Sequence, residues 1–351
     1  MSLIRRVIYA PNVHQGGGKT LLLPLLSNLE NRDDTLFVLD NRLTLPDDWK
    51  PEGELMTVKP SIFSRLFMEL CLWVKVKPES QLLCMGNLPP LFAWNGKVTV
   101  FVQNYYMVNK ESLEGFSFVI RNRIRFERLW LRFLASNVNR FIVQTETMAK
   151  LLKKTLDRAA DVLPFVDLMP INPTKAICSQ TKKQFDFIYV ASGEPHKNHK
   201  QLLLAWVELT KLNYFPRLCL TVDKHLFPEL CEWIDVCVRQ HHLQVVIVSN
   251  LSQEEVQMLY KKSKVLIYPS KFESFGLPLI EAVSMGLPVL ASDLSYVYDV
   301  INPSMAFDPL SSESIASSVM NFSNNNASFS VKFYTSQEFL NEVFEFEKGH
   351  L

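Results

Sequence analysis

Short apolar runs alternate along the chain with longer segments whose apolar residues recur at helical spacing. VIYA (7–10), TLFVL (35–39), QLLCMG (81–86), VTVFVQ (98–103) and RFIVQT (140–145) read as buried parallel strands, so the alternation predicts a doubly wound α/β domain. A second series, FDFIYVAS (185–192), RLCLTVD (217–223), VVIVSN (245–250), KVLIYPS (264–270) and PVLASD (288–293), predicts another. Between them, residues 162–184 carry three prolines and no periodicity, which marks a linker. Past residue 310 a polar stretch reads as helix then loop, and SQEFLNEVFEFEK (336–348) is helical again. The expected organisation is an N-terminal domain over 1–168, a C-terminal domain over 185–330, and a C-terminal helix within 331–351 packing back on the N-terminal domain.

The segment YPSKFESFGLPLIEAVSMGLPVLASD (268–293) contains a strand, a loop, a helix beginning near Pro278, a stop at Gly286 and another strand, a complete βαβ unit. Ligands of such sheets sit beyond the carboxyl ends of the strands, where free amides at a helix N-terminus favour an anion. Here the amides of Phe275, Gly276 and Leu277, next to Ser274, are the candidates. Glu273 at the strand exit and Glu281 one turn into the helix flank the same mouth. A carboxylate there suits vicinal hydroxyls, each of which donates to it, rather than phosphate. The plainer reading makes Glu281 a helix-dipole partner and Glu273 a solvated loop charge.

This stretch resembles the signature of retaining glycosyltransferases of the GT-B fold, family-4 (group 1) type, whose pattern S-x-x-E-x-F-G-L-P-x-x-E-A-x-x-x-G-x-P-V it matches nearly throughout. The resemblance implies an α/β GT-B fold, two Rossmann-like domains facing each other across a cleft. It also implies that Glu273 contacts the donor sugar's hydroxyls, Glu281 the ribose, and the 275–277 amides the sugar and distal phosphate. A second stretch, VASGEPHKNHKQLLLAW (190–206), falls where the family has V-G-R-L-x-P-x-K-G, with Lys197 at the lysine position to neutralise the departing diphosphate. Ser192 stands where the family has an arginine, leaving His196 or Lys271 to make up the charge. VSNLS (248–252) resembles the loop over the nucleobase, with Asn250 and Leu251 at its edge; Ser252 with Glu255 three residues on reads equally as a helix N-cap.

HQGGGKT (14–20) invites a nucleotide P-loop, but that pattern needs a glycine at the position held by Val13. The resemblance instead makes Gly16, Gly17, Gly18 and Lys19 a glycine-rich loop beside the donor diphosphate, the alternative being a tight strand-to-helix turn without a ligand. Pro24 predicts a kink or a short first helical segment. Gln103 and Asn104 stand where many family members carry a histidine near the reacting centre. Such amides orient a hydroxyl but do not titrate near neutral pH.

Composition adds little until charge is divided along the chain. Lys and Arg outnumber Asp and Glu by 22 to 16 over residues 1–165, and the remainder carries 15 against 20, so the front is basic and the back acidic. The six cysteines form no C-x-x-C pair and the chain opens into strand-like RRVIYA, which suits a reducing cytoplasm. LFMELCLWV (66–74) is about half the length a membrane-spanning helix requires. IRNRIRFERLWLRFLASNVNRF (120–141) sets Arg121, Arg125, Arg128 and Arg132 on one stripe beside Phe126, Trp130 and Phe133. That suits peripheral contact with an anionic membrane surface, or equally a scaffold helix with a solvated arginine face; no nucleic-acid motif accompanies it.

The expectation is a retaining enzyme that moves a sugar from a nucleotide-diphosphate donor to a hydroxyl of a glycan or polyprenyl-diphosphate-linked acceptor during bacterial surface-polysaccharide assembly. Glu273, Lys197, Gln103 and Asn104 are at its chemistry. With no D-x-D motif, neither a metal nor a cofactor is expected. The alternatives are a nucleotide-sugar epimerase or hydrolase on the same fold, and a non-catalytic nucleotide-sugar-binding protein.

Overall fold

The computed structural model describes residues 4–94, 96–167, 182–322 and 325–344 of the 351. Most of the expected linker (168–181) and the end of the expected C-terminal helix (345–351) lie outside the described residues. The chain divides into two units, Met1–Asp167 with Phe333–Leu351, and Leu168–Lys332.

Seven strands form the sheet of the first unit: β1 Arg6–Ala10, β2 Thr35–Asp40, β3 Glu54–Val58, β4 Gln81–Cys84, β5 Lys97–Phe101, β6 Arg140–Val143 and β7 Asp161–Val162. Their order is β3-β2-β1-β4-β5-β6-β7, every pair parallel, with Val7 opposite Leu36 on one side and Leu82 on the other. The central strands are buried on both faces, which is why they read as unbroken apolar runs. The helix Gly16–Asn28 runs on through Pro24 instead of stopping early. Proline lacks the N–H that would reach the carbonyl four residues back, so the cost falls on one bond of an otherwise packed helix. Helix Ser336–Phe344 completes this unit: Phe339 stacks on Phe165 at 4.1 Å and lies 5.4 Å from Phe101, and Arg140 Nη1 donates to the Glu342 carbonyl at 2.7 Å.

In the second unit β8 Phe185–Tyr189, β9 Leu218–Leu220, β10 Val245–Ile247, β11 Ser263–Tyr268, β12 Val289–Ser292, β13 Ile301–Asn302, β14 Met305–Phe307 and β15 Ser328–Phe329 follow in sequence. Six make a parallel sheet ordered β10-β9-β8-β11-β12-β14, and β13 pairs antiparallel with β15. Trp206, on helix His199–Lys211, is buried edge-on against Phe187 and donates to the Pro216 carbonyl at 2.9 Å. Each sheet has one place where the strand order reverses: between β1 and β4 in the first unit, and between β8 and β11 in the second. Loops leaving such a pair diverge to opposite faces and leave a crevice at the strands' carboxyl ends.

Candidate functional site

At the reversal in the second unit, the loops after β8 and β11 carry Lys197 and Glu273. The β8 loop tightens into a 3₁₀ turn, Pro195–Lys197, and ends at Asn198 in the left-handed region (φ 63°). The Asn198 side chain is buried and donates to the carbonyls of Pro269 and Pro309 at 3.1 and 2.6 Å, which offsets the backbone strain. The Lys271 amide donates to the His196 carbonyl at 2.8 Å, and the Tyr189 hydroxyl to the Lys197 carbonyl at 2.7 Å, so the two loops are tied through backbone.

Held this way, Lys197 Nζ lies 2.7 and 2.9 Å from the two carboxylate oxygens of Glu273, and the Tyr268 hydroxyl donates to Oε1 at 3.0 Å. Burial alone pushes the Glu273 carboxyl up, but the charge of Lys197, with hydrogen bonds from Lys197 and Ser270, outweighs it and the net shift is downward. Glu273 is therefore ionised at neutral pH. His196 stacks on Phe272 with centroids 4.8 Å apart and planes 7° apart. Burial pushes its pKa down to about 4, more than nearby Glu273 pulls it up, so the ring is neutral. His196 thus supplies no charge in place of the missing arginine, and Lys271 is exposed. Ser192 is hydrogen-bonded to Glu194, which brings negative charge to that loop instead.

The next helix, Leu277–Ser284, starts from Gly276 at φ 82° with Pro278 in its first turn and no side-chain cap. A glycine is needed for that φ, and an uncapped first turn leaves amides without intrahelical acceptors. Phe275 is buried in front of it and Ser274 half-buried. Glu281 is half-buried; burial pushes its carboxyl up, only partly countered by the Tyr260 hydroxyl, which donates to Oε2 at 3.0 Å. The two carboxylates are thus each oriented by a buried tyrosine, Tyr268 and Tyr260, neither of which the sequence motifs single out. A tyrosine inside an apolar run, where phenylalanine would pack as well, was the available signal.

A loop lysine bound to a buried glutamate, beside an uncapped helix at a sheet's reversal point, has the chemistry to suit a hydroxyl-bearing anion. Residues 174–335 match the family described as glycosyl transferases group 1. This segment is similar to group 1 glycosyl transferases. The serotype-specific mannosyltransferase WbdA of Escherichia coli is 36% identical to the chain over 132 residues, 36% of this chain and 15% of that protein. The O-antigen chain mannosyltransferase B of Escherichia coli is 25% identical over 162 residues, covering 44% of this chain and 42% of its own. The chain thus spans less than half the length of these relatives. Among solved structures, Anabaena Alr3699/HepE in complex with UDP-glucose aligns over 97% of this chain and 95% of its own, with a TM-score of 0.65 at 12% identity. That likeness extends through both units and gives the chain the GT-B fold.

Elsewhere in the matched segment, Asn250 is exposed with φ 57° and Leu251 half-buried, directly before helix Gln253–Lys262. Ser252 and Glu255 form a full capping box at its start, so the N-cap reading of this loop describes its structure.

The first unit has its own cluster at the β1/β4 reversal. Gly16 begins helix Gly16–Asn28 at φ 61°. A Cβ on Gly18 would lie 3.2 Å from Val13 Cγ1 and 3.8 Å from Gln103 Oε1, so the glycine loop and Gln103 are neighbours. Gln103 donates through Nε2 to the Met85 carbonyl at 3.0 Å. Asn87, at φ 67°, accepts from the amides of both Gln103 (2.6 Å) and Asn104 (2.8 Å). Asn104 Oδ1 accepts from the Tyr106 amide at 2.9 Å, capping the turn Tyr105–Val108. Gly17 is exposed, and Lys19 is half-buried with no ion pair among the described residues. Nearby, Asp40 is buried and gripped by Arg42 at 2.9 and 2.7 Å, with His14 Nδ1 3.8 Å away. Among the described residues no three His, Cys, Asp or Glu side chains gather to ligate a metal.

Proposed function

We propose that the chain is a retaining, metal-independent glycosyltransferase that moves a sugar, in the first instance mannose, from a nucleotide-diphosphate donor to a hydroxyl of a lipid-linked glycan acceptor. It works at the inner face of the cytoplasmic membrane in bacterial surface-polysaccharide assembly. The observation that carries this reading is the Lys197–Glu273 pair beside the uncapped helix Leu277–Ser284. The names of the two Escherichia coli relatives support the mannosyl donor and the O-antigen setting, and the UDP-glucose held by HepE supports a nucleotide sugar.

In the donor complex Glu273 accepts hydrogen bonds from sugar hydroxyls, and Lys197 is shared between that carboxylate and the distal phosphate. The 275–277 amides meet the remaining phosphate charge, and Glu281, held by Tyr260, takes the ribose. The bond from the anomeric carbon to phosphate oxygen breaks as the acceptor oxygen bonds to the same face of that carbon. The acceptor's proton passes to the departing phosphate oxygen, and Lys197 with the helix amides stabilises the charge that develops there. Gly16–Gly18 and Lys19 take the donor-binding role, and Gln103 and Asn104 the reacting-centre role, that the family resemblance implies.

Thermal shifts with UDP, GDP, CDP and ADP, followed by transfer from the matching mannose donor and NMR of the product's anomeric centre, test this. The expected result is one preferred nucleotide and a product of unchanged anomeric configuration without added metal. An inverted linkage or a requirement for a divalent ion overturns the mechanism; free sugar or an epimer formed without acceptor overturns the reaction.

A further inference from the structure

Two neighbouring helices of the first unit leave their outer faces uncovered and apolar. On Ile62–Lys75, the side chains of Phe63 (85% exposed), Phe67, Leu70 and Val74 (80%) follow at spacings of four, three and four, one stripe of the helix, with exposed Trp73 beside it. On Phe118–Leu134, Phe118, Phe126, Leu129 and Phe133 (74%) make a second stripe, joined by Val119 (76%). The helices are adjacent, for the Arg65 guanidinium sits 4.4 Å over the Trp130 ring. Scattered exposed apolar residues need no explanation, but two aligned stripes this large do.

Charge decides what covers them. Each helix carries one acidic residue, and both are withdrawn. Glu69 is fully buried, bonded by the Tyr9 hydroxyl at 2.7 Å, by the Leu91 amide and by Arg65. Glu127 is half-buried and faces Arg123 and Arg65. Basic groups divide differently from the single stripe read in the sequence. Arg128 is turned in, donating to the Tyr106 carbonyl at 2.6 Å, and Arg121 is half-buried. Arg125 and Arg132 are exposed along one flank of the Phe118–Phe133 stripe and Arg123 along the other. An apolar ridge flanked by arginines, with every carboxylate of the two helices withdrawn, complements an anionic lipid surface: hydrocarbon takes the ridge and headgroup phosphates take the guanidinium groups. No described helix is long and apolar enough to cross a membrane, so contact of these helices with a bilayer would be interfacial.

We infer that helices Ile62–Lys75 and Phe118–Leu134 together form a docking face that inserts into the headgroup region of an anionic bilayer. The role of this face rests on the lipid-linked acceptor proposed above, but its binding is measurable without any transfer. The test is co-sedimentation of the full chain with phosphatidylcholine vesicles, with and without phosphatidylglycerol. Two variants are compared, Phe63→Ser/Phe67→Ser/Phe133→Ser and Arg123→Gln/Arg125→Gln/Arg132→Gln, each checked for folding by its thermal response to the preferred nucleotide.

The chain is expected to bind phosphatidylglycerol-containing vesicles at least about tenfold more tightly than phosphatidylcholine alone. The arginine variant loses that preference, and the serine variant loses binding to both. Equal binding to both vesicles, or a folded serine variant that binds like the parent, overturns the inference. So does a chain that is dimeric until the serine substitutions make it monomeric, because a second copy then covers the face. Vesicle binding by a chain that answers to no nucleotide leaves the face standing and removes the glycosyltransferase reading instead.

Discussion

At the scale of single residues, the site works through what its carboxylates are tied to. Lys197→Ala strips Glu273 of the cation that holds its carboxyl low while leaving it buried, so the group moves towards its neutral form. Transfer is expected to fall by roughly two orders of magnitude or more, because both the proposed leaving-group cation and the proposed sugar-binding carboxylate are lost. Steady-state rates at saturating donor check this, and a variant within a few-fold of the parent would remove Lys197 from the chemistry. Tyr260→Phe acts differently. It removes one hydrogen bond to Glu281 without creating a cavity, at a cost of about 1 kcal/mol. Calorimetric titration with the preferred nucleoside diphosphate should show about fivefold weaker binding with kcat little changed; a drop in kcat alone would mean that Glu281 does not hold the ribose.

Among elements, the first unit's loops depend on one side chain. Among the described residues Asn87 accepts the amides of both Gln103 and Asn104, so Asn87→Ala strands two part-buried donors at a cost of about 1–3 kcal/mol each. Hydrogen exchange over residues 85–108 should quicken and transfer should fall, while the nucleotide-induced thermal shift, proposed to arise in the second unit, persists; unchanged exchange would mean that water replaces Asn87. Nothing in the sequence pointed to Asn87, since an asparagine after a strand end has many uses and its two acceptor bonds are fixed only when β4 and β5 pair. The paired strands themselves were legible where burial on both faces wrote unbroken apolar runs, as in TLFVL and VLIY. β3 was not, because at the sheet edge its side chains alternate between half-buried and exposed and the apolar run disappears. Glu273 was marked by its position at a strand exit, and Lys197 only by its place in the family resemblance. Tyr260 and Tyr268 were hidden inside apolar periodicity, and Arg128, one of four arginines at helical spacing, turned inward for a carbonyl that only tertiary packing brings to it.

For the molecule as a whole, the second unit carries an acid-sensitive load close to its site. His199 is buried and His196 half-buried, and both are neutral, their pKa values pushed down by burial to about 3 and about 4 from an ordinary 6.5. His199 lies 4.9 Å from the Tyr189 ring, and neither of its ring nitrogens has a hydrogen-bond partner among the described residues. Below about pH 6.5 the unfolded chain protonates both rings and the folded chain does not, so unfolding takes up protons and stability falls with pH. Each ring contributes a slope of about 1.4 kcal/mol per pH unit until its folded pKa is reached. Glu273, whose folded pKa is lowered, adds stability that is present above its unfolded value near 4.5 and is lost as pH falls further, in the same direction. Glu281, whose pKa is raised, works weakly the other way. Replacing His199 by phenylalanine keeps a ring against Tyr189 and deletes one of the two titrations. Urea unfolding of parent and His199→Phe between pH 7.5 and 5 should therefore give a parent that weakens steadily on acidification and a variant whose slope below pH 6.5 is about half as steep. Identical slopes would mean that His199 is protonated in the folded chain, with an acceptor for its charge.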